Sequence, residues 1–256
     1  MMKKLLFSLL ISTSLFAFTV PPHPTINEFE KELGIEVVQG EETASKLTTH
    51  LILVHHGQTD WSETKRLQGW NNLPLNELGK KETKELADEM SGLKVAAIYT
   101  SSSQSSIETG KILQETLTAP VVPMDELRGE FHGGIEGMTK EQYEQDPHFK
   151  FYYSLPTEEE IFFSCGPNGE SKADVAKRIV PALKKIAEQH KGQAVVIVSH
   201  GGLFKFLNYV RGKYTQDGTI SIPYSSAMII EADGEHLYVQ KDKTQQSPQQ
   251  DSATNQ

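Results

Sequence analysis

Short apolar runs alternate with amphipathic stretches along most of the chain. The first run, residues 51–54, ends abruptly at His55-His56-Gly57, as a buried strand followed by a loop would. Further strands are expected at residues 96–99, 121–124, 194–198, 227–230 and 236–239, the last two forming a hairpin across Asp233-Gly234. Helical periodicity is found at residues 26–33, 76–90, 105–117, 140–145, 171–190 and 203–210. This alternation predicts an α/β fold of three layers, with a mostly parallel central sheet and helices on both faces.

One main domain is expected. The chain has 256 residues, 37% of them hydrophobic, which is enough for one substantial core. We expect a signal peptide over residues 1–18, an N-terminal extension or linker over 19–48, the domain over 49–242, and a disordered polar tail over 243–256.

The N-terminal segment has the composition of a secretory signal. Lys3 and Lys4 precede an apolar run that reaches Phe18, shorter than the roughly 20 residues that span a bilayer. We therefore expect export to the periplasm or the medium. An uncleaved anchor, the one case that predicts membrane contact, and a buried terminal helix are the alternatives. Cys165 is the sole cysteine, so an exported domain would have no internal disulfide.

The net charge argues against one class of partner. A formal charge of -9 disfavours general nucleic-acid binding, because affinity for the phosphate backbone comes from clustered Lys and Arg. No nucleic-acid partner is predicted.

Two histidine clusters follow predicted strands. His55-His56-Gly57 follows the first, and Ser199-His200-Gly201-Gly202 follows the strand at 194–198. Ligands of open parallel sheets bind beyond the carboxyl ends of the strands, so His56 and His200 would meet there if their strands are adjacent. No cysteine and no H-E-x-x-H spacing accompanies the pair, so no metal site is predicted.

Several motifs extend this pattern. In chain order they are Leu53-Val54-His55-His56-Gly57-Gln58-Thr59, Arg66-Leu67-Gln68-Gly69-Trp70, Leu73-Pro74-Leu75-Asn76-Glu77-Leu78-Gly79, Ile135-Glu136-Gly137, Gly169-Glu170-Ser171 with Arg178 downstream, and Val198-Ser199-His200-Gly201-Gly202. Over about 150 residues they resemble the phosphoglycerate-mutase-like branch of the histidine phosphatase superfamily. Glu170-Ser171 also precedes a helical run, where a capping role is expected.

The resemblance implies a mechanism without a cofactor, acting on a small phosphorylated substrate. His56 would attack phosphorus and become a phosphohistidine that water hydrolyses, while His200 would hydrogen-bond a phosphoryl oxygen. In the family, two arginines hold the phosphate dianion and a carboxylic acid protonates the leaving oxygen.

This chain departs from the family at those assisting groups. The arginine of R-H-G is His55, the second arginine aligns with Ser105, and the acid aligns with Gly129. Glu130 is the candidate replacement acid, although adjacent residues of an extended segment point oppositely. His55 would act as a cation when protonated. The remaining expected phosphate contacts are Thr59, Arg66, Ser105 and Gly201, with Lys205 as a further candidate.

Two functions remain open at this point. The first is an exported phosphomonoester hydrolase, weak or specialised, acting through His56. The second is a catalytically inactive binding protein that keeps the fold and binds a phosphorylated ligand. Full mutase activity is a weaker third reading, because a mutase must hold its phosphorylated form against water.

Overall fold

The computed structural model describes residues 18–38, 48–212 and 222–240, and within them seven strands form one sheet. The strands are β1 (Ile35–Val38), β2 (Thr49–His55), β3 (Ile98–Ser101), β4 (Val121–Met124), β5 (Ala194–Ser199), β6 (Ala227–Ala232) and β7 (Leu237–Gln240). Their order across the sheet is β1-β7-β6-β2-β5-β3-β4. β6 runs antiparallel to β2 and β7, while the other neighbouring pairs are parallel. The predicted mostly parallel sheet and the predicted terminal hairpin are confirmed.

Helices cover both faces of this sheet. They are α1 (Ile26–Leu33), α2 (Asp60–Glu63), α3 (Glu77–Glu89), α4 (Gln104–Leu117), α5 (Lys140–Tyr143), α6 (Pro147–Tyr153), α7 (Thr157–Glu160), α8 (Lys172–Gln189) and α9 (Gly201–Val210). Two short 3-10 turns, Asp125–Leu127 and Gly133–Ile135, lie between β4 and α5.

Alternate residues of the central strands enter two different cores. Leu51 and Leu53 of β2 pack in the larger core with α1, α8 and α9. Ile52 and Val54 pack on the opposite face with α3 and α4. A strand buried on both faces needs a continuous apolar sequence, which is what residues 51–54 provide. The three-layer architecture predicted from the sequence is thus confirmed.

The N-terminal extension contributes to the folded unit over residues 26–38. Helix α1, which the sequence predicts, buries Phe29 completely in the larger core. Gly34 then ends the helix at a φ of 65°, a left-handed conformation that suits glycine, and the chain passes directly into β1. β1 pairs in parallel with β7 at the edge of the sheet. Residues 26–38 thus add one helix and one edge strand to the folded unit.

The segment after the second 3-10 turn also differs from expectation. One helix is predicted at residues 140–145, whereas the structure has three short helices, α5 to α7. The carboxylate of Asp146 accepts hydrogen bonds from the amides of His148 and Phe149 and begins α6 at Pro147. A capping side chain followed by proline starts a new helix and does not extend the preceding one.

Two predictions fall almost entirely outside the described residues. These are the signal peptide at residues 1–18, of which only Phe18 is described, and the tail at 243–256. The Phe18 ring lies 5.2 Å from that of His148 and 5.5 Å from that of Phe151. In the described parts of the chain, no helix combines the length and apolarity needed to cross a membrane.

Candidate active site

His56 and His200 meet at the carboxyl edge of the sheet. β2 and β5 pair in parallel with Val54 opposite Val198, so the residues that follow the two strands emerge at the same edge. The two imidazole rings lie 4.7 Å apart between centroids, inclined by 63°. Both side chains are buried. The structure therefore brings together the pair that the sequence places at equivalent strand ends.

A single hydrogen bond sets the tautomer of His56. Its Nδ1 lies 2.8 Å from the carbonyl oxygen of Gly57, and because a carbonyl only accepts, Nδ1 must carry the proton. Burial lowers the pKa of His56 to about 4, although the bond to Gly57 opposes this shift. At neutral pH the ring is uncharged with its lone pair on Nε2, the form of imidazole that attacks phosphorus.

The loop after His56 is held by a close approach that requires glycine. A Cβ on Gly57 would lie 2.6 Å from the hydroxyl of Thr83 and 2.7 Å from the carbonyl oxygen of Gly79, both in α3. The Gly57 amide donates to the hydroxyl of Thr109 in α4 at 3.0 Å. His56 is thus fixed against two helices by the residue that follows it.

His200 is held by serine hydroxyls. Its Nε2 lies 2.8 Å from Oγ of Ser101 and 3.4 Å from Oγ of Ser103 and of Ser106. Burial, and then the other two imidazoles nearby, hold the pKa of His200 well below its usual range. Ser105, where the family has an arginine, is fully buried with its Oγ 3.3 Å from that of Ser103. In place of a cation the chain has a cluster of hydroxyls that holds His200.

A cavity of about 330 Å³ opens beside the histidine pair. Six of the predicted site residues line it, namely His55, His56, Arg66, Glu130, His200 and Gly201. The two others, Thr59 and Ser105, are fully buried and are not among the lining residues. Thr59 caps α2 and donates to the side chain of Gln68, which does line the cavity. Thr59 thus acts on the cavity through its neighbour.

Sequence reasoning did not single out several lining residues, among them His132 and Tyr224. His132 lies two positions after Glu130, and residues two apart in an extended segment share a face, so this spacing is the signal that points to it. No comparable signal marks Tyr224, because it reaches the cavity from the far end of the chain.

His55 is neutral in this structure. Its ring stacks on Tyr224 with centroids 4.5 Å apart, and its Nδ1 lies 3.1 Å from the carbonyl oxygen of Pro223. Burial, followed by the nearby His56, lowers the pKa of His55 to about 3. His55 would act as a cation only when protonated, and with this pKa the ring has no charge at neutral pH.

Gly129 and Glu130 both line the cavity, and only Glu130 has a carboxylate there. A Cβ on Gly129 would lie 2.8 Å from Cγ of His200, so this position has no room for an acidic side chain unless His200 moves. Glu130 is 8% exposed and packs against Gly202. A Cβ added to Gly202 would lie 3.4 Å from the Glu130 side chain. The position that aligns with the acid of the family is thus a glycine, Gly129. The carboxylate of the next residue, Glu130, lies in the cavity wall.

Among the residues that the structure describes, two permanently charged cations line the cavity, Arg66 and Lys205. Both side chains are exposed, and Arg66 donates from Nη1 to the carbonyl oxygen of Gly137 at 2.8 Å. Positive charge for a phosphate dianion therefore comes from the rim of the cavity, since His55, His56 and His200 are neutral.

Arg178 ties the loop that carries Glu130 to α8. Its Nη1 donates to the carbonyls of Glu126 and Arg128, and its Nη2 donates to that of Gly129 at 2.6 Å. Nε and Nη2 also bind the carboxylate of Glu170 at 2.8 Å. The expected cap of α8 is made by Ser171 with Asp174, while Glu170 anchors Arg178.

Replacing this arginine should destabilise the protein. We expect Arg178→Ala to lower the free energy of unfolding by about 2 kcal/mol, because three carbonyls and a carboxylate lose their donor in a half-buried place. Urea denaturation measures the change. Lys185→Ala, at an exposed position on the same helix, should cost less than about 0.5 kcal/mol, and equal losses in the two variants would contradict this role.

Stability should fall in acid because of the buried histidines. The pKa of His56 is near 6.5 when unfolded and about 4 when folded, so below pH 6.5 the unfolded chain binds a proton that the folded chain does not. We expect His56 alone to reduce the free energy of unfolding by about 2 kcal/mol between pH 7 and pH 5. Urea denaturation at both values should show a smaller loss for His56→Asn. The same loss in variant and wild type would show that His56 is not held neutral.

The chain is similar in sequence to known proteins. The model of the histidine phosphatase superfamily (branch 1) matches residues 51–242. The chain is 31% identical to the metal-independent phosphoserine phosphatase of Arabidopsis thaliana over 167 residues, which cover 64% of this chain and 68% of that protein. It is 32% identical to phosphoserine phosphatase 1 of Hydrogenobacter thermophilus over 154 residues, 59% of this chain and 70% of that protein.

The chain is also similar to a solved structure. YhfR of Bacillus stearothermophilus superposes with a TM-score of 0.63 at 33% identity, covering 75% of this chain and 95% of that one. On these grounds the chain belongs to branch 1 of the histidine phosphatase superfamily.

Proposed function

We propose that this protein is an exported hydrolase of small phosphomonoesters that works through a phosphohistidine at His56. One observation carries the proposal: a neutral His56 with its lone pair on Nε2 lies against His200 in the wall of a cavity. Relatives named as phosphoserine phosphatases support the reaction class. A volume of about 330 Å³ suits a small substrate.

The reaction begins with attack by Nε2 of His56 on phosphorus. The bond from phosphorus to the ester oxygen breaks, and Glu130 in its protonated form gives that oxygen a proton. A water molecule then attacks phosphorus of the phosphohistidine and gives a proton to Glu130. The bond from phosphorus to Nε2 of His56 breaks, and inorganic phosphate leaves. His200 donates to a phosphoryl oxygen during both steps through its Nδ1–H, with Nε2 accepting from the serine hydroxyls.

Turnover is slow in this proposal because the charge around the phosphate is small. The positions of the two family arginines hold a neutral imidazole and a buried hydroxyl, and the rim supplies Arg66 and Lys205. Loss of one preorganised donor costs about 10²- to 10³-fold in rate. A weak or specialised phosphatase is the outcome.

Export is proposed from the N-terminal sequence alone. Two lysines followed by an apolar run up to Phe18 form the pattern of a cleavable signal. Expression of the full chain in a secreting host tests this, since the exported form should lack the apolar run by intact mass. A full-length product kept inside the cell would contradict export.

The alternative is a binding protein without turnover. Its support is the serine cluster around His200 and the lack of room for an acid at Gly129. Assay of the protein with an aryl phosphate across about pH 5 to 8 separates the two, because that range spans the titration of an ordinary imidazole. Saturable release of phosphate that vanadate inhibits supports the hydrolase. Binding of vanadate by calorimetry with no release above buffer supports the binding protein.

A further inference from the structure

Glu130, His132 and Cys165 present three metal-binding atoms to one another beside the cavity. Each residue offers one ligand atom, and the three atoms lie within 4.8 Å of one another. Cys165 and Glu130 are buried, and His132 and Glu130 line the cavity. We propose that these three side chains form a site for a zinc-class divalent metal ion whose fourth ligand position opens into the cavity.

The spacing of the three atoms suits a tetrahedral ion. His132 Nδ1 lies 3.1 Å from Cys165 Sγ and 3.6 Å from Glu130 Oε1, and Sγ lies 3.8 Å from Oε1. Around Zn²⁺ with bonds of about 2.0–2.3 Å, neighbouring ligand atoms lie about 3.3–3.6 Å apart. Shifts of a few tenths of an ångström are enough to bring the three atoms onto one ion.

The loops that carry the ligands are already joined. The amide of Phe131 donates to the carboxylate of Glu170 at 2.9 Å, and the amide of Glu170 donates to the carbonyl of Phe131 at 2.7 Å. A Cβ on Gly166 would lie 2.2 Å from the carbonyl oxygen of His132, so the segment after Cys165 packs directly on the His132 backbone. Ligands on a rigid support need little ordering when the ion binds.

Charge and protonation favour a divalent ion with a thiolate ligand. Burial lowers the pKa of His132, which keeps its ring in the neutral form that binds metals. Burial, and then the Glu130 carboxylate, raise the pKa of the Cys165 thiol, so the ion must displace the thiol proton. With one carboxylate and one thiolate, a divalent ion makes a neutral group, which lowers the cost of burying it.

A buried ammonium nearby does not block the site. Lys172 donates hydrogen bonds to the carboxylate of Glu160 at 2.8 Å and to the hydroxyl of Tyr152, and not to the three proposed ligands. Thiolate and imidazole ligands select zinc and its chemical relatives over magnesium or calcium. The inference does not rest on the proposed phosphatase activity, because its readout is binding of the metal alone. While an ion is bound, Glu130 is not free to protonate a leaving oxygen, so metal binding and hydrolysis compete for this side chain.

Cobalt titration of the full chain without a histidine tag tests the proposal. Co²⁺ should produce the near-ultraviolet charge-transfer band of a thiolate–cobalt bond, and Zn²⁺ should displace the cobalt and abolish the band. Cys165→Ser should lose the band, and both it and His132→Asn should weaken cobalt binding by at least about 100-fold, more than loss of an outer-shell partner costs. Circular dichroism checks that each variant is folded.

A matched control and two results decide the outcome. His50 is an exposed histidine at the opposite end of β2, and His50→Ala should bind cobalt like the wild type. Absence of the charge-transfer band in the wild type would overturn the site. So would binding by folded Cys165→Ser and His132→Asn that is as tight as that of the wild type.

Discussion

His56→Ala is expected to release phosphate from an aryl phosphate no faster than buffer, a loss of about 10⁴-fold or more in kcat. The physical reason is that Nε2 of His56 forms the bond to phosphorus. His55 has the same tautomer, but its ring stacks on Tyr224, whereas the ring of His56 lies against that of His200. His56→Asn should show the same loss and keeps a polar group in the buried site. Steady-state phosphate release measures both variants.

The control for this result is a histidine on the same strand. His50→Ala removes an imidazole from the start of β2, where its side chain is about half exposed and pairs with Glu231. We expect it to keep the wild-type rate. If His56→Ala retained more than about a tenth of the wild-type kcat, covalent catalysis at this position would be excluded.

Glu130→Gln is expected to slow hydrolysis in a way that depends on the leaving group. For an alkyl phosphate such as phosphoserine, whose leaving oxygen must be protonated, kcat should fall by about 10²- to 10⁴-fold. For an aryl phosphate with a good leaving group the fall should be much smaller, because that oxygen departs without a proton. The ratio of the two losses is the measurement, taken with a chelator present so that metal binding at Glu130 does not contribute.

A neighbouring carboxylate serves as the control. Glu126 is exposed in the turn before the same loop, and Glu126→Gln should leave both substrates unaffected. Equal losses of kcat for aryl and alkyl phosphates in Glu130→Gln would contradict a role in protonating the leaving oxygen. Such a result would mean that Glu130 positions the loop.

Much of the fold could be predicted because its central strands carry a strong signal. Residues 51–54 and 194–198 are continuous apolar runs that the sheet buries on both faces, and polar loops end them. β1 could not be predicted in the same way. It has four residues at an edge of the sheet, and its position depends on pairing with β7, some 200 residues away.

The sequence indicates where candidate site residues lie in the fold, but it does not indicate the protonation state of each group. His56 and His200 meet because β2 and β5 are adjacent and parallel, and each histidine directly follows its own strand. Both strands can be recognised from the local sequence. Neutral His55 could not be predicted, because its low pKa comes from burial under Tyr224 and neighbouring chain segments distant in sequence.

The alternation rule for extended segments also misled the interpretation of Glu130. It predicts that Glu130 points away from the side that Gly129 faces. In the structure both sides of this loop border the first turn of α9, since Gly129 abuts His200 while Glu130 abuts Gly202. The contacts of the two residues are therefore set by the helix that packs against the loop.

The most direct test is a search for the phosphohistidine itself. Wild-type protein mixed with a labelled aryl phosphate and quenched in alkali should carry a label that is stable to base and lost in acid, on the peptide that contains His56. His50→Ala should carry the same label, and His56→Ala should carry none. Turnover by the wild type with no label on the protein, or with the label on another residue, would contradict the account.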